Sequence, residues 1–383
     1  MNMTKQDFTM IAAAMILAGA GTPSLGQAPV IASFGHNGEL VCTNLEPGSA
    51  ATVEWAPSVT GPWTSTWVGL EAVAVDSNRT IRVSVPMFYR VRSVDAPAVT
   101  PSVALIPAGN FTMGDTFNEG DNNELPTHTV QVSAFYMDRH EVSKALWDEV
   151  YHWATNHGYG FEYRAQGKAA NYPAHSLTWY DAVKWCNARS EKEGRTPAYY
   201  TDAGLTQRYR SGRVAPFVNW SAGYRLPTEA EWEKAARGGA TGRRFPWVDS
   251  DTITHSRANY NSDASYAYDT SSTRGYHPTF FENLLPPQVV FTSPVGYFAP
   301  NGYGLYDMAG NVWEYCWDWY GPYSSASQND PRGPTTGSVR VLRGGAYEHF
   351  AFGCRVARRF DGGDPTWGNG GIGFRSVLPP GQP

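Results

Sequence analysis

Charge is scarce in this sequence. Only 17% of the 383 residues are charged, and 30 basic against 35 acidic side chains leave a net −5. The chain therefore lacks the basic excess that a nucleic-acid-binding surface requires. Long apolar runs are missing as well. Met10 to Ala20 is apolar or small throughout, yet it falls short of the roughly 20 residues a membrane helix needs. No later stretch is long and apolar enough to span a bilayer. Cysteine is reduced to Cys42, Cys186, Cys316 and Cys354, with no CxxC and no Cys/His spacing of a zinc site. Four cysteines allow three full pairings, and the sequence does not choose among them.

Glycine, proline and aromatics are plentiful: 39 Gly, 27 Pro, 14 Trp, 22 Tyr and 17 Phe. That mixture predicts short strands and shaped loops with few long helices, and it excludes a helix-only fold. Residues 1–28 read as a signal peptide. Lys5 precedes the apolar run, and Gly26-Gln27-Ala28 places small residues at a cleavage site. The expected mature protein is exported, whether secreted, periplasmic or at the cell surface.

Residues 29–95 alternate apolar and polar side chains, as in Thr52 to Trp55, Ile81 to Val85 and Phe88 to Arg92, between turn signals such as Asp76-Ser77-Asn78. They predict a small all-β sandwich, followed by a proline-containing linker over 96–101. Beyond it, a strand carrying Val130, Val132 and Ala134 is expected to run on to Phe135–Asp138. Three helices are signed. Thr178 with Asp181, and Thr228 with Glu231, form acidic capping boxes. The first opens a broad apolar face of Ala182, Val183, Trp185, Cys186 and Ala188, and the second a helix from Glu229 to Arg237. A helix over 143–155 is expected to bury a stripe of Leu146, Val150 and Trp153.

Six blocks then resemble the formylglycine-generating enzyme (sulfatase-modifying factor) family. They are RLPTEAEWEKAARGG at 225–239, NGYGLYDMAGNVWEYCWDW at 301–319, RVLRGG at 340–345, GFR at 373–375, and the front segments 111–114 and 136–142. The blocks follow the family's order across residues 101–378. The resemblance implies an α+β, elaborated C-type-lectin-like domain over 102–380 with little regular secondary structure.

It also implies a chemistry. The family's enzyme oxidises a sulfatase cysteine to formylglycine with O2 and a copper(I) ion held by two thiolates five positions apart, after a Gly-Gly-Ser turn. Soft Cu(I) favours such a sulfur pair. Here the stretch reads GGAYEHFAFGC. Counted from Gly344-Gly345, His349 stands in the first cysteine's place, Cys354 in the second's, and Ala346 replaces the serine. Counted from Arg355, Cys354 matches neither ligand. A mixed His349/Cys354 copper site is one reading, and a core thiol beside a loop histidine is the other. His152 and His157, five apart and without a completing Glu, do not make the iron triad of the related sulfoxide synthases.

For calcium, the resemblance assigns Asp307 and Glu314 as carboxylate donors with the carbonyls of Gly310 and Val312 between them, a donor set suited to a hard cation. A second calcium segment starts at Asn259-Tyr260. Arg225, Glu231 and Trp232 are expected to knit the 229–237 helix into the core by packing and buried ion pairing. Tyr347, Glu348, Phe350, Phe352 and Trp367 are expected to line a loop-built groove. Two functions stay open: an oxidase acting on an exported protein, such as a sulfatase, and a non-catalytic module that holds a protein, peptide or glycan in the same groove.

Overall fold

The computed structural model describes residues 30–34, 39–43, 50–55, 73–84, 89–93, 102–281 and 290–380. The expected signal peptide, the linker over 96–101 and part of the calls on 29–95 lie outside these residues. The chain divides into two compact units at Pro101/Ser102. In the first, β1 (Val30–Phe34), β2 (Glu39–Thr43), β3 (Ala50–Trp55), β4 (Val73–Ala74), β5 (Ile81–Ser84) and β6 (Tyr89–Ser93) form two antiparallel three-stranded sheets, ordered β1-β2-β5 and β4-β3-β6. The Asp76 turn closes on its own carboxylate, which accepts the Asn78 and Thr80 amides at 2.9 Å each.

The second unit mixes short sheets with three helices. β7 (Val103–Ile106) pairs with β10 (Phe135–Asp138), and β8 (Gly109–Met113) with β9 (His128–Val132). The expected single strand through Val130 and Asp138 is therefore two strands in two sheets. The break falls at Ser133, whose amide and hydroxyl both bond the Asp330 carboxylate at 2.7 Å. A side chain from a distant loop takes the ladder's place there.

Helix α1 (Lys144–Thr155) starts at Ser143, whose hydroxyl accepts the Leu146 amide. Its buried stripe is Trp147, Val150 and Ala154 rather than Leu146, Val150 and Trp153. The helix is rolled by one residue so that Trp147 stacks on Trp185, centroids 5.9 Å apart. Helix α2 (Trp179–Lys192) keeps its Thr178/Asp181 capping box and buries the expected apolar face. Its polar face is buried too, including Lys184, Asn187 and Arg189. Those groups therefore need partners. Arg189 takes the Asp138 carboxylate at 2.8 and 2.9 Å, and Asn187 bonds the Tyr199 backbone.

Helix α3 (Glu229–Ala236) is buried along its whole length behind the Thr228/Glu231 box. Arg225 clamps Glu231 through two bonds of 2.6 and 2.7 Å, and the Trp232 indole is fully buried. After short β11 (Tyr199–Tyr200) and β12 (Phe217–Val218), which form their own hairpin ladder, the largest sheet is ordered β16-β15-β13-β17. It comprises β13 (Trp313–Trp319), β15 (Arg340–Arg343), β16 (Phe360–Gly363) and β17 (Ile372–Gly373), while β14 (Gln328–Asn329) extends β9 in parallel and β18 (Val377–Leu378) edges β10. The β13 and β15 strands carry the blocks around which the candidate site is built.

Candidate functional site

Strand β15 leads into Gly344 and Gly345, both with positive φ (95° and 83°). At Gly345 glycine is obligatory for a second reason. A Cβ there would sit 2.9 Å from the Gly353 carbonyl and 3.0 Å from Cys354 Sγ. The turn thus lies directly on the thiol. Cys354 ends a short 3-10 helix (Ala351–Cys354) and is fully buried among Phe245, Ile253, Ala258, Tyr260, Ala309 and Ala351. Burial pushes its thiol above the ordinary range, away from the thiolate that metals and electrophiles need. Cys186 and Cys316 belong to two other core clusters. All four cysteines are free and buried.

His349 is half-buried. Its ring receives the Trp313 Nε1–H at 3.2 Å and stands edge-on to that indole, with Phe360 5.9 Å away. Burial, assisted by Arg358, lowers its pKa to about 4, so the imidazole is neutral. Copper(I) in the family's manner needs two thiolates, and this loop offers one sealed thiol. Among the described residues the donor set does not fit that ion.

The expected groove residues divide into three groups. Tyr347 is buried with its ring edge-on to Phe291. Phe350 and Phe352 both lie against Tyr266, at 6.1 and 5.5 Å. Glu348 is exposed near Gly371, and Trp367 is 55% exposed with no ring contact to the others among the described residues.

The two expected calcium segments meet. Gly310 (φ +81°) lies so close to Asn259 that a Cβ would come within 2.2 Å of its carbonyl oxygen, and the Asn311 amide bonds that same carbonyl at 2.8 Å. Asp307, also at positive φ, accepts the Gly296 amide on Oδ2 at 2.6 Å, while its buried Oδ1 has no hydrogen-bond partner. Burial raises its carboxyl to about 6. Asn259 Oδ1 is likewise buried and unpaired, whereas the Tyr260 carbonyl is engaged by His255 Nε2 at 3.1 Å.

Glu314 is placed differently from the expectation. Both of its oxygens bond Arg375, at 2.7 Å each, and Oε2 also accepts the Trp232 indole at 2.8 Å. The sequence reading gave no role to Glu141, Asn311 or Arg375, although all three stand inside quoted blocks. Glu141 is buried, bonds Asn311 Nδ2 at 2.7 Å, and is pushed well above the carboxylate range by burial and then by the charges of Asp307 and Glu314. Three carboxyls thus share one guanidinium. The buried, unpaired Asp307 oxygen fits a bound cation, and Glu314 anchors Arg375.

Comparison with known proteins agrees with this architecture. The family described as "Sulfatase-modifying factor enzyme 1-like domain" matches residues 91–379. A formylglycine-generating enzyme of Streptomyces coelicolor is 33% identical over 302 residues, covering 73% of this chain and 90% of its own. One from Thermomonospora curvata is 35% identical over 292 residues, covering 68% and 88%. Among solved structures, Treponema denticola variable protein 1 superposes with a TM-score of 0.54 at 28% identity, covering 73% of this chain and 95% of its own.

Proposed function

Because the chain belongs to the sulfatase-modifying factor enzyme 1-like family, we propose that it serves sulfatase maturation or an allied task as an exported partner-binding domain, without oxidising cysteine itself. One observation carries the reading: the lone thiol of Cys354 lies under Gly345, and the other cysteines of this unit pack in separate clusters. The resemblance implies a paired-sulfur copper site for cysteine oxidation, and Cys354 alone does not supply the pair. What the loops do offer is a rigid scaffold carrying exposed Phe350, Glu348 and Trp367, a surface suited to holding a protein or peptide. The apolar run at 10–20 supports export, and no helix of the described residues is long and apolar enough to cross a membrane.

Calcium belongs to the same reading. Asp307 Oδ1 with the Gly310 and Val312 carbonyls would hold it, tying the 307–314 turn to the 259–260 segment. A second calcium at Asn259 and Tyr260 has less support, since one of its expected donors is already engaged by His255.

The deciding experiment is Cu(I) titration of the reduced protein, with O2 uptake followed in the presence of a cysteine-containing sulfatase peptide. The expected result is no stoichiometric copper and no uptake above background. Tight one-to-one Cu(I) binding that vanishes in Cys354→Ala would overturn the proposal.

A further inference from the structure

A second concave feature has no part in the loop face described above. Between the first turn of α3, the end of β13 and the 321–334 loop lies a cleft of about 350 Å³, within the size range of small-molecule sites. Met113, Trp319, Pro322 and Pro334 supply apolar walls, and Asp318 and Arg332 supply polar ones.

Asp318 is the unusual member. It is 4% exposed, and its Oδ2 accepts the Glu229 amide at 2.7 Å. Its Oδ1 takes no hydrogen bond from the described residues, and no cation pairs with it. The loop closes tightly on this side chain. Gly333 (φ +69°) lies so near that a Cβ would meet Asp318 Cβ at 2.7 Å and Oδ1 at 2.9 Å.

Burial, with the Glu229 charge behind it, pushes the Asp318 carboxyl up to about 8. At neutral pH the group is therefore mostly protonated and offers an O–H rather than a charge. The other ionic groups at the base are already committed. Glu229 holds Arg359 at 2.6 and 2.8 Å and accepts the Tyr323 hydroxyl at 3.1 Å. Arg332 is different. It is exposed, stacks on Trp220 at 4.1 Å, and makes no ion pair among the described residues.

The cleft thus combines an uncharged acid donor, an uncommitted guanidinium and apolar walls, with no free anion. We propose that it binds a small organic carboxylate with an apolar body, the carboxylate taken by Arg332 and Asp318 and the body by Met113, Trp319 and the prolines. A guanidinium and an O–H both donate to carboxylate oxygens, and an apolar wall excludes the water that would compete. The inference stands apart from the proposed function, since it uses no residue of the 344–354 loop.

Benzoate is the probe, titrated into the full chain by calorimetry, with methyl benzoate and inorganic phosphate as controls. Saturable one-to-one benzoate binding is expected, weakened about tenfold or more in Arg332→Gln and retained in Asp318→Asn, which keeps a donor. Asp318→Leu should abolish it. That variant also strips the Glu229 amide of its acceptor, so Ser324→Trp, which fills the cleft from its exposed rim, provides a block that does not disturb the base. Absence of saturable benzoate binding overturns the proposal. So does equal binding of methyl benzoate or phosphate, or undiminished binding in Arg332→Gln and Ser324→Trp.

Discussion

The α3–β13–β15 scaffold and the 344–354 loop meet at Gly344, yet they treat their polar groups in opposite ways. In the scaffold four of the five buried carboxylates are answered by an arginine. Arg225 holds Glu231, Arg359 holds Glu229, Arg343 reaches Glu233, and Arg375 holds Glu314. In the loop a thiol and an imidazole are desolvated with no charged partner to raise their reactivity. Family chemistry would concentrate its investment in the loop. This chain places its buried electrostatics in the frame instead.

The largest test of that contrast removes one scaffold carboxylate. Glu314→Ala would leave the Arg375 guanidinium buried without its anion and the Trp232 N–H without its acceptor. Breaking a buried pair in this way costs about 3–5 kcal/mol, read as a fall in the denaturation midpoint. His349→Ala, made in the loop, should cost far less, since it gives up a single indole contact to a half-buried ring. Equal losses in the two variants would erase the distinction.

The sequence made the scaffold legible and left the loop and the cation turn half-read. Both capping boxes could be seen because Thr178/Asp181 and Thr228/Glu231 are local patterns at fixed spacing. The α1 stripe came out one residue off, because Trp147 is drawn to Trp185 of another helix and periodicity alone weighs Leu146 as heavily. The break at Ser133 depends on Asp330, nearly two hundred residues away. Likewise, nothing local says that Glu314 faces Arg375. Nor could spacing reveal that Cys186, Cys316 and Cys354 sit in three clusters. Those facts belong to packing between elements far apart in the chain.

A middle-sized test concerns the cation turn, which joins scaffold to loop. Calcium at Asp307 should stabilise the fold by about 2.7 kcal/mol when present at a hundredfold excess over its Kd. A chelator should therefore lower Tm by several degrees, and Asp307→Asn should remove that sensitivity. Glu314→Gln is the informative companion. If Glu314 serves Arg375 alone, that variant is destabilised yet still responds to the chelator. Loss of the response in Glu314→Gln, with Asp307→Asn still responsive, would move the calcium donor from Asp307 to Glu314.

The smallest effect is expected at Cys354, the residue that family chemistry would make the most important. Cys354→Ala removes one sulfur atom from beneath Gly345 and should cost about 1 kcal/mol, the scale of one buried methylene-sized group plus a little cavity. Its reactivity should be equally muted. A thiol that is fully buried and pushed away from ionisation can react only when the structure opens above it. In the reduced native protein, Ellman's reagent should find no rapidly reacting thiol, and Cys186, Cys316 and Cys354 should appear together when denaturant unfolds the second unit. A single fast thiol, present in the native protein and absent in Cys354→Ala, would mean that the Gly344–Gly345 turn lifts off the sulfur under native conditions. The loop would then be the reactive half of the molecule and the scaffold merely its support.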